Sequence, residues 1–211
     1  KAKKGQTIAV IGSTGSGKST LINLIPRYYD VTKGSVKVDG VDVRDMTQKE
    51  LRDKLGYVPQ KGVLFSGTID SNIRYGKPEI TDAQVKEAAE VAQATEFIDT
   101  KPEKYKSPVS QGGTNVSGGQ KQRLSIARAI AKDPEIFIFD DSFSALDFKT
   151  DSQLRKALKE YTKDATTVIV AQRISTILGA DQIIVLDDGH MAGIGTHKEL
   201  MANCEVYQQI A

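Results

Sequence analysis

An α/β fold with a mostly parallel sheet is predicted by three features of the sequence. Apolar runs of strand length recur at 8–11, 136–139, 166–171 and 182–186. Their hydrophobicity is continuous rather than alternating, which marks strands covered on both faces. A glycine-rich loop follows the first run, and a helical pattern follows the loop.

The loop is Gly12-Ser13-Thr14-Gly15-Ser16-Gly17-Lys18-Ser19, followed by Thr20. It fits the phosphate-binding pattern G-x-x-x-x-G-K-[ST] at every fixed position. Glycines let the backbone curl so that successive N–H groups point inward at phosphate oxygens. A helix starting near Lys18 aims its positive end at the same place. Lys18 reaches the β- and γ-phosphates, and the Ser19 hydroxyl is placed to ligate Mg²⁺. The expected fold is therefore a P-loop NTPase (RecA-like) core that binds a nucleoside triphosphate with Mg²⁺.

The remaining elements follow in order. Valines alternate with polar residues around Asp39-Gly40, which predicts an antiparallel flap near 34–45. Thr47 and Glu50 form a capping-box pair at the start of a short helix over 47–55. A core strand is expected over 55–60, ending at Gln60. From 68 to 131 the pattern is helical, with Val85, Ala88, Ala89 and Ala92 on one face. Residues 101–115, rich in proline and glycine, read as a loop, and a further helix starts at Ser117. The core resumes with the run ending at Asp140, then the strands at 166–171 and 182–186. Asp188-Gly189 reads as a hairpin turn, and 198–210 as one closing helix. The domain expectation is an α/β core formed by 1–67 and 132–211, with a helical subdomain inserted at 68–131.

The chain has 211 residues, 39% apolar and 27% charged, with formal net charge +2. No block of like charge is present, so nucleic acid is not an expected partner. Cys204 is the one cysteine, which excludes an internal disulfide and fits a reducing compartment. No apolar run approaches 18 residues, so no membrane-crossing segment is expected. The chain starts at Lys1 without a methionine, and a fragment of a longer polypeptide is expected.

Two further motifs carry chemistry. Asp140 ends a buried strand, where a carboxylate can hold the Mg²⁺ shell. Val116-Ser117-Gly118-Gly119-Gln120 opens a helix with two glycines that expose backbone N–H groups and a hydroxyl at the N-cap, a second anion-binding device. Here the sequence resembles the ATP-binding-cassette family, whose signature is L-S-G-G-Q; Val116 replaces the leucine. The resemblance covers the whole chain. It implies two cassettes packed head to tail, each ATP held by one phosphate loop and capped by the other subunit's signature helix. It also implies that Gln60 is the glutamine that reaches Mg²⁺ and senses the transporter. Ser144-Ala145-Leu146-Asp147 matches the segment that crosses the dimer interface. Residues 64–73 are similar to exporters, where this region receives the coupling helices of a membrane domain, itself absent from this chain. Phe65 is either an exposed contact there or core.

Three departures matter. Asp141 stands where a competent cassette carries the glutamate that acts as general base, and Gln172 stands where the family has its switch histidine. Ser110-Gln111-Gly112-Gly113 replaces the exporter G-E-R-G. Asp141 is one methylene short, and Gln172 donates a hydrogen bond but cannot relay a proton. The resemblance therefore implies the degenerate half of a heterodimeric exporter at the cytoplasmic face of the membrane. Such a half binds ATP but hydrolyses it poorly, and lends Ser117, Gly118, Gly119 and Gln120 to a partner that carries Glu and His. No aromatic precedes Tyr28, so the family's adenine-stacking residue is expected upstream of Lys1. Alternatives are a non-catalytic regulatory subunit that binds ATP, and a soluble cassette ATPase. A chromosome-maintenance ATPase would need a long coiled coil, and sustained heptads are missing.

Overall fold

A computed structural model describes residues 1–211. Along the chain run β1 (Thr7–Gly12), α1 (Lys18–Asn23), β2 (Lys37–Val38), β3 (Val41–Asp42), α2 (Gln48–Asp53), β4 (Leu55–Val58), β5 (Gly67–Thr68), α3 (Ile69–Ile73), α4 (Asp82–Val91) and α5 (Thr95–Asp99). Then follow β6 (Pro108–Val109), α6 (Gly118–Ala131), β7 (Ile136–Asp140), α7 (Phe148–Tyr161), β8 (Thr166–Val170), β9 (Gln182–Asp187), β10 (His190–Gly195), α8 (His197–Asn203) and α9 (Glu205–Ile210). They group into two compact units. One comprises Lys1–Leu55, Glu135–Asp141 and Asp164–Ala211; the other comprises Gly56–Pro134 and Ser142–Lys163.

In the first unit the strands stand in the order β10-β9-β1-β8-β7. β1 pairs in parallel with both β8 and β9, and β8 in parallel with β7. Only β10 is antiparallel, returning through the Asp188-Gly189 turn as expected. The mostly parallel sheet of the predicted α/β class is thus present. Its register sets Val10 opposite Val170 and Val170 opposite Asp140. The carboxyl ends of β1, β8 and β7 therefore fall in one row, the edge where ligands of open α/β sheets sit. Ala9, Ile11, Ile183 and Val185 are fully buried, and Leu200 and Tyr207 close over them. Fully burying each isoleucine, valine or leucine among them is worth about 1.5–3 kcal/mol.

β2 and β3 form the expected antiparallel flap, with Val38 opposite Val41 across Asp39-Gly40. Val38, Val43, Leu51 and Leu55 make a second core beneath it. Thr47 and Glu50 form the predicted capping box of α2. The Lys54 ammonium bridges Asp39 at 2.9 Å and Glu135 at 2.8 Å, tying the flap turn to the start of β7.

The second unit is built on α6, which packs against α3 and α4. Leu124, Ile126, Ala127 and Ile130 are its buried stripe. Thr68 and Thr81 cap α3 and α4 through capping boxes.

Four local readings differ from the sequence expectation. The strand at 55–60 stops at Val58, because Pro59 has no N–H for a ladder. The loop at 101–115 contains β6, which pairs with β5 across 40 residues of chain, Gly67 opposite Val109 and Thr68 opposite Pro108. The closing helix over 198–210 is two helices. Cys204 between them is extended at φ −123° and ψ 102°, and buried. The break lets Tyr207 turn inward, where its hydroxyl meets His197 Nδ1 at 2.8 Å. Finally, α7 has no counterpart among the expected elements.

Candidate functional site

Chain geometry at the end of β1 makes the phosphate loop. A Cβ on Gly12 would lie 2.3 Å from the Leu186 carbonyl oxygen and 2.5 Å from Ser16 Oγ, so only glycine fits there. Gly15 at φ 83° and Gly17 at φ 96° hold the left-handed backbone that glycine adopts without a Cβ penalty. Ser16 N donates to Ser13 O at 3.2 Å, closing the curl, and Gly189 N donates to Ser16 O at 3.2 Å, backing it from the β9–β10 turn. Ser16 is buried with its hydroxyl unpartnered. Ser13, Thr14 and Gly15 form the exposed rim of the loop, and Thr20 is exposed on the first turn of α1.

The Lys18 ammonium donates to Gly12 O at 2.8 Å and Ser13 O at 2.7 Å, so it lies across the loop. Burial lowers its pKa, opposed by the nearby charges of Asp141 and Asp140. Ser19 Oγ donates to Asp140 Oδ1 at 3.2 Å. This hydroxyl and buried carboxylate are hard oxygen donors side by side. The pair fits Mg²⁺, which takes one or two protein oxygens and completes its shell with phosphate oxygens and water.

One residue further, Asp141 turns back at φ 47°. Its amide donates to Val170 O at 3.0 Å, and Ala171 N to Val10 O at 3.1 Å. These bonds set Asp141 and Gln172 side by side at the ends of adjacent strands. Gln172 Nε2 donates to Asp141 Oδ2 at 2.8 Å. The first unit thus gathers the phosphate loop, Ser19, Asp140, Asp141 and Gln172 at one sheet edge.

The other site residues lie in the second unit. Gln60 is exposed, two residues past β4. Ser117 caps α6: its Oγ accepts from Gln120 N at 3.2 Å, and Gln120 Oε1 accepts from Ser117 N at 3.1 Å. The N–H groups of Gly118 and Gly119, in the first turn, have no intrahelical acceptor. A Cβ on Gly118 would meet nothing within 4 Å. The N-terminus of this 14-residue helix thus presents its positive dipole end at the surface. Asp147 caps α7, accepting from Thr150 N at 2.9 Å. Hydrogen bonds from Thr150 hold its carboxyl below the ordinary value. Phe65 is half-buried, stacked on Tyr75 at 4.1 Å between centroids, with the Arg128 guanidinium against both rings.

Sequence reasoning missed the backing of the phosphate loop by Leu186 O and Gly189 N. Both are backbone groups, and the only trace of them in the sequence is the turn signal Asp188-Gly189.

A family model described as ABC transporter matches residues 1–144. An ABC transporter ATP-binding protein of Mycobacterium tuberculosis is 49% identical over 100% of this chain and 36% of its own length. A putative multidrug export ATP-binding/permease protein of Staphylococcus aureus is 48% identical over 99% of this chain and 36% of its own length. Among solved structures, a bacterial Atm1-family ABC exporter with ATP bound superposes at TM-score 0.94, with 40% identity over 98% of this chain and 36% of that one. The chain thus spans about a third of the length of the relatives it matches. No helix is long and apolar enough to cross a membrane.

Proposed function

This chain belongs to the ABC transporter family, and from that premise we propose that it is the ATP-binding motor domain of an exporter whose own catalytic position is degenerate. Its phosphate loop grips the triphosphate. Lys18 compensates phosphate charge. Ser19 and Asp140 would hold Mg²⁺, which when bound would supply further charge compensation, and the family resemblance assigns Gln60 to the same ion. The domain pairs head to tail with a second cassette at the cytoplasmic face of a membrane, and Ser117, Gly118, Gly119 and Gln120 cap the partner's nucleotide. The loop containing Phe65 receives coupling helices of a membrane domain. The relatives' names, multidrug export and Atm1-family exporter, support the export reading.

The observation that carries the degenerate assignment is the Asp141–Gln172 pair. Gln172 satisfies one carboxylate oxygen of Asp141 with a neutral N–H at 2.8 Å. That amide nitrogen has no lone pair to accept a proton and no ionisable proton to pass on. The carboxylate is also one methylene short of a glutamate's reach toward an attacking water. Loss of a well-placed general base costs roughly 10²–10⁴ in rate. Binding groups are intact beside it, so hydrolysis is impaired and binding is not. The test is Asp141→Glu with Gln172→His in the heterodimer formed with a cassette that carries both Glu and His. ATPase of the pair rises if the reading is right. An unchanged rate with ATP still bound rejects it.

A further inference from the structure

Between β4 and β5 the chain lies along α6. Gln122, on that helix and two residues past the signature motif, is 1% exposed. Its side-chain amide makes two backbone hydrogen bonds. Nε2 donates to Pro59 O at 3.1 Å, and Oε1 accepts from Gly62 N at 3.0 Å. The two partners flank Gln60 and Lys61. Only one orientation of the amide satisfies both, since the reverse would face oxygen to oxygen and N–H to N–H.

Adjacent contacts seat the same segment. A Cβ on Gly62 would lie 2.9 Å from Lys121 O and 2.8 Å from Ser125 Oγ, so the strand of chain touches the helix backbone there. Arg128, one and a half turns further along α6, donates to Val63 O at 2.9 Å. Gln60 is thus the exposed tip of a short loop whose two feet are pinned to the signature helix.

We propose that Gln122 is a positioning residue for Gln60: its amide brackets the loop carrying Gln60 and fixes it to the helix that begins with Ser117. A shift of α6 therefore moves Gln60 with it, and Gln60 and the signature cap are set as one body. The inference rests on the role proposed above for Gln60. The bracket itself does not.

The test uses this chain with ATP in the presence and absence of Mg²⁺, alongside amide exchange at residue 62. Gln122→Leu keeps the volume but leaves Gly62 N–H and Pro59 O unpaired. Exchange of the Gly62 amide should quicken roughly five- to tenfold, the factor expected for one lost hydrogen bond. The gain in ATP affinity on adding Mg²⁺ should shrink toward that of Gln60→Ala. The double variant Gln60→Ala with Gln122→Leu should lose no more than Gln60→Ala alone, because one residue acts through the other. Gln122→Glu keeps an acceptor for Gly62 N–H but sets a carboxylate against Pro59 O. It should retain slow exchange at residue 62 and still lose part of the Mg²⁺ gain. Wild-type exchange and a wild-type Mg²⁺ gain in Gln122→Leu would overturn the proposal. So would additive losses in the double variant, which would mark a merely structural role. If the unmodified chain binds no ATP–Mg²⁺, the proposed function fails instead, and the exchange measurement still decides the bracket.

Discussion

Replacing Gly12 by alanine is the sharpest perturbation of the phosphate loop. The new methyl would lie 2.3 Å from Leu186 O and 2.5 Å from Ser16 Oγ. Ordinary carbon–oxygen contact needs about 3.4 Å, so roughly 1 Å must be found. The Ser16 hydroxyl can rotate away, but Leu186 cannot easily move. It pairs with Gly12 on one side and with Met191 of β10 on the other. The strain therefore falls on the loop, at the overpacking cost of about 1–3 kcal/mol. For a chain of this size that lowers the melting temperature by about 2–4 °C per kcal/mol. Differential scanning calorimetry should show a fall of about 2–12 °C, and ATP titration a loss of affinity of at least about tenfold. Gly118→Ala is the control, since its methyl meets nothing within 4 Å and its φ is not positive. It should not lower the melting temperature. If Gly12→Ala melts and binds like the unmodified chain, the close approach of β9 to the loop is not what shapes the phosphate site.

Two further outcomes follow from local geometry. Ser117→Ala removes a capping box and should destabilise α6 by about 1 kcal/mol; ATP affinity of this chain should stay the same while ATPase of the assembled pair falls, as a coupled-enzyme assay would read. Asp42 is paired with Arg44 Nη2 at 2.8 Å, which brings its carboxyl down to about 2. Because the folded value lies below the unfolded one, its stabilisation is complete above the ordinary carboxylate range and is lost as pH falls toward about 2. Asp42→Asn should flatten that part of the acid-unfolding profile, followed by circular dichroism.

The sequence exposed most where one residue type carries one physical demand. Glycines at 12, 15 and 17, the capping pair Thr47/Glu50, the N-cap Ser117 and the Asp39-Gly40 turn are all legible because each is a local rule. Features decided by distant partners stayed hidden. The β5–β6 pair joins two segments whose own composition reads as loop. Cys204 breaks a good helical pattern because burying Tyr207 against His197 outweighs continuing the helix. α7 was obscured for a different reason: its buried stripe is narrow, chiefly Leu154 and Leu158. Its cap, Asp147, also fits the family's interface segment, which masks the helix start. Within the site, Asp141 and Gln172 were both legible as departures, but their hydrogen bond was not. It depends on the parallel register of β7 and β8, which no spacing along the chain reveals.

The proposed function requires a nucleotide that is gripped and not cut. The direct measurement is to load this chain with γ-labelled ATP and Mg²⁺, isolate the protein-bound nucleotide at intervals, and resolve ATP from ADP. Bound nucleotide that stays triphosphate over many minutes, at an occupancy that the Lys18→Ala variant abolishes, is the predicted result. Steady conversion to ADP at the rate of a cassette carrying Glu and His would contradict it.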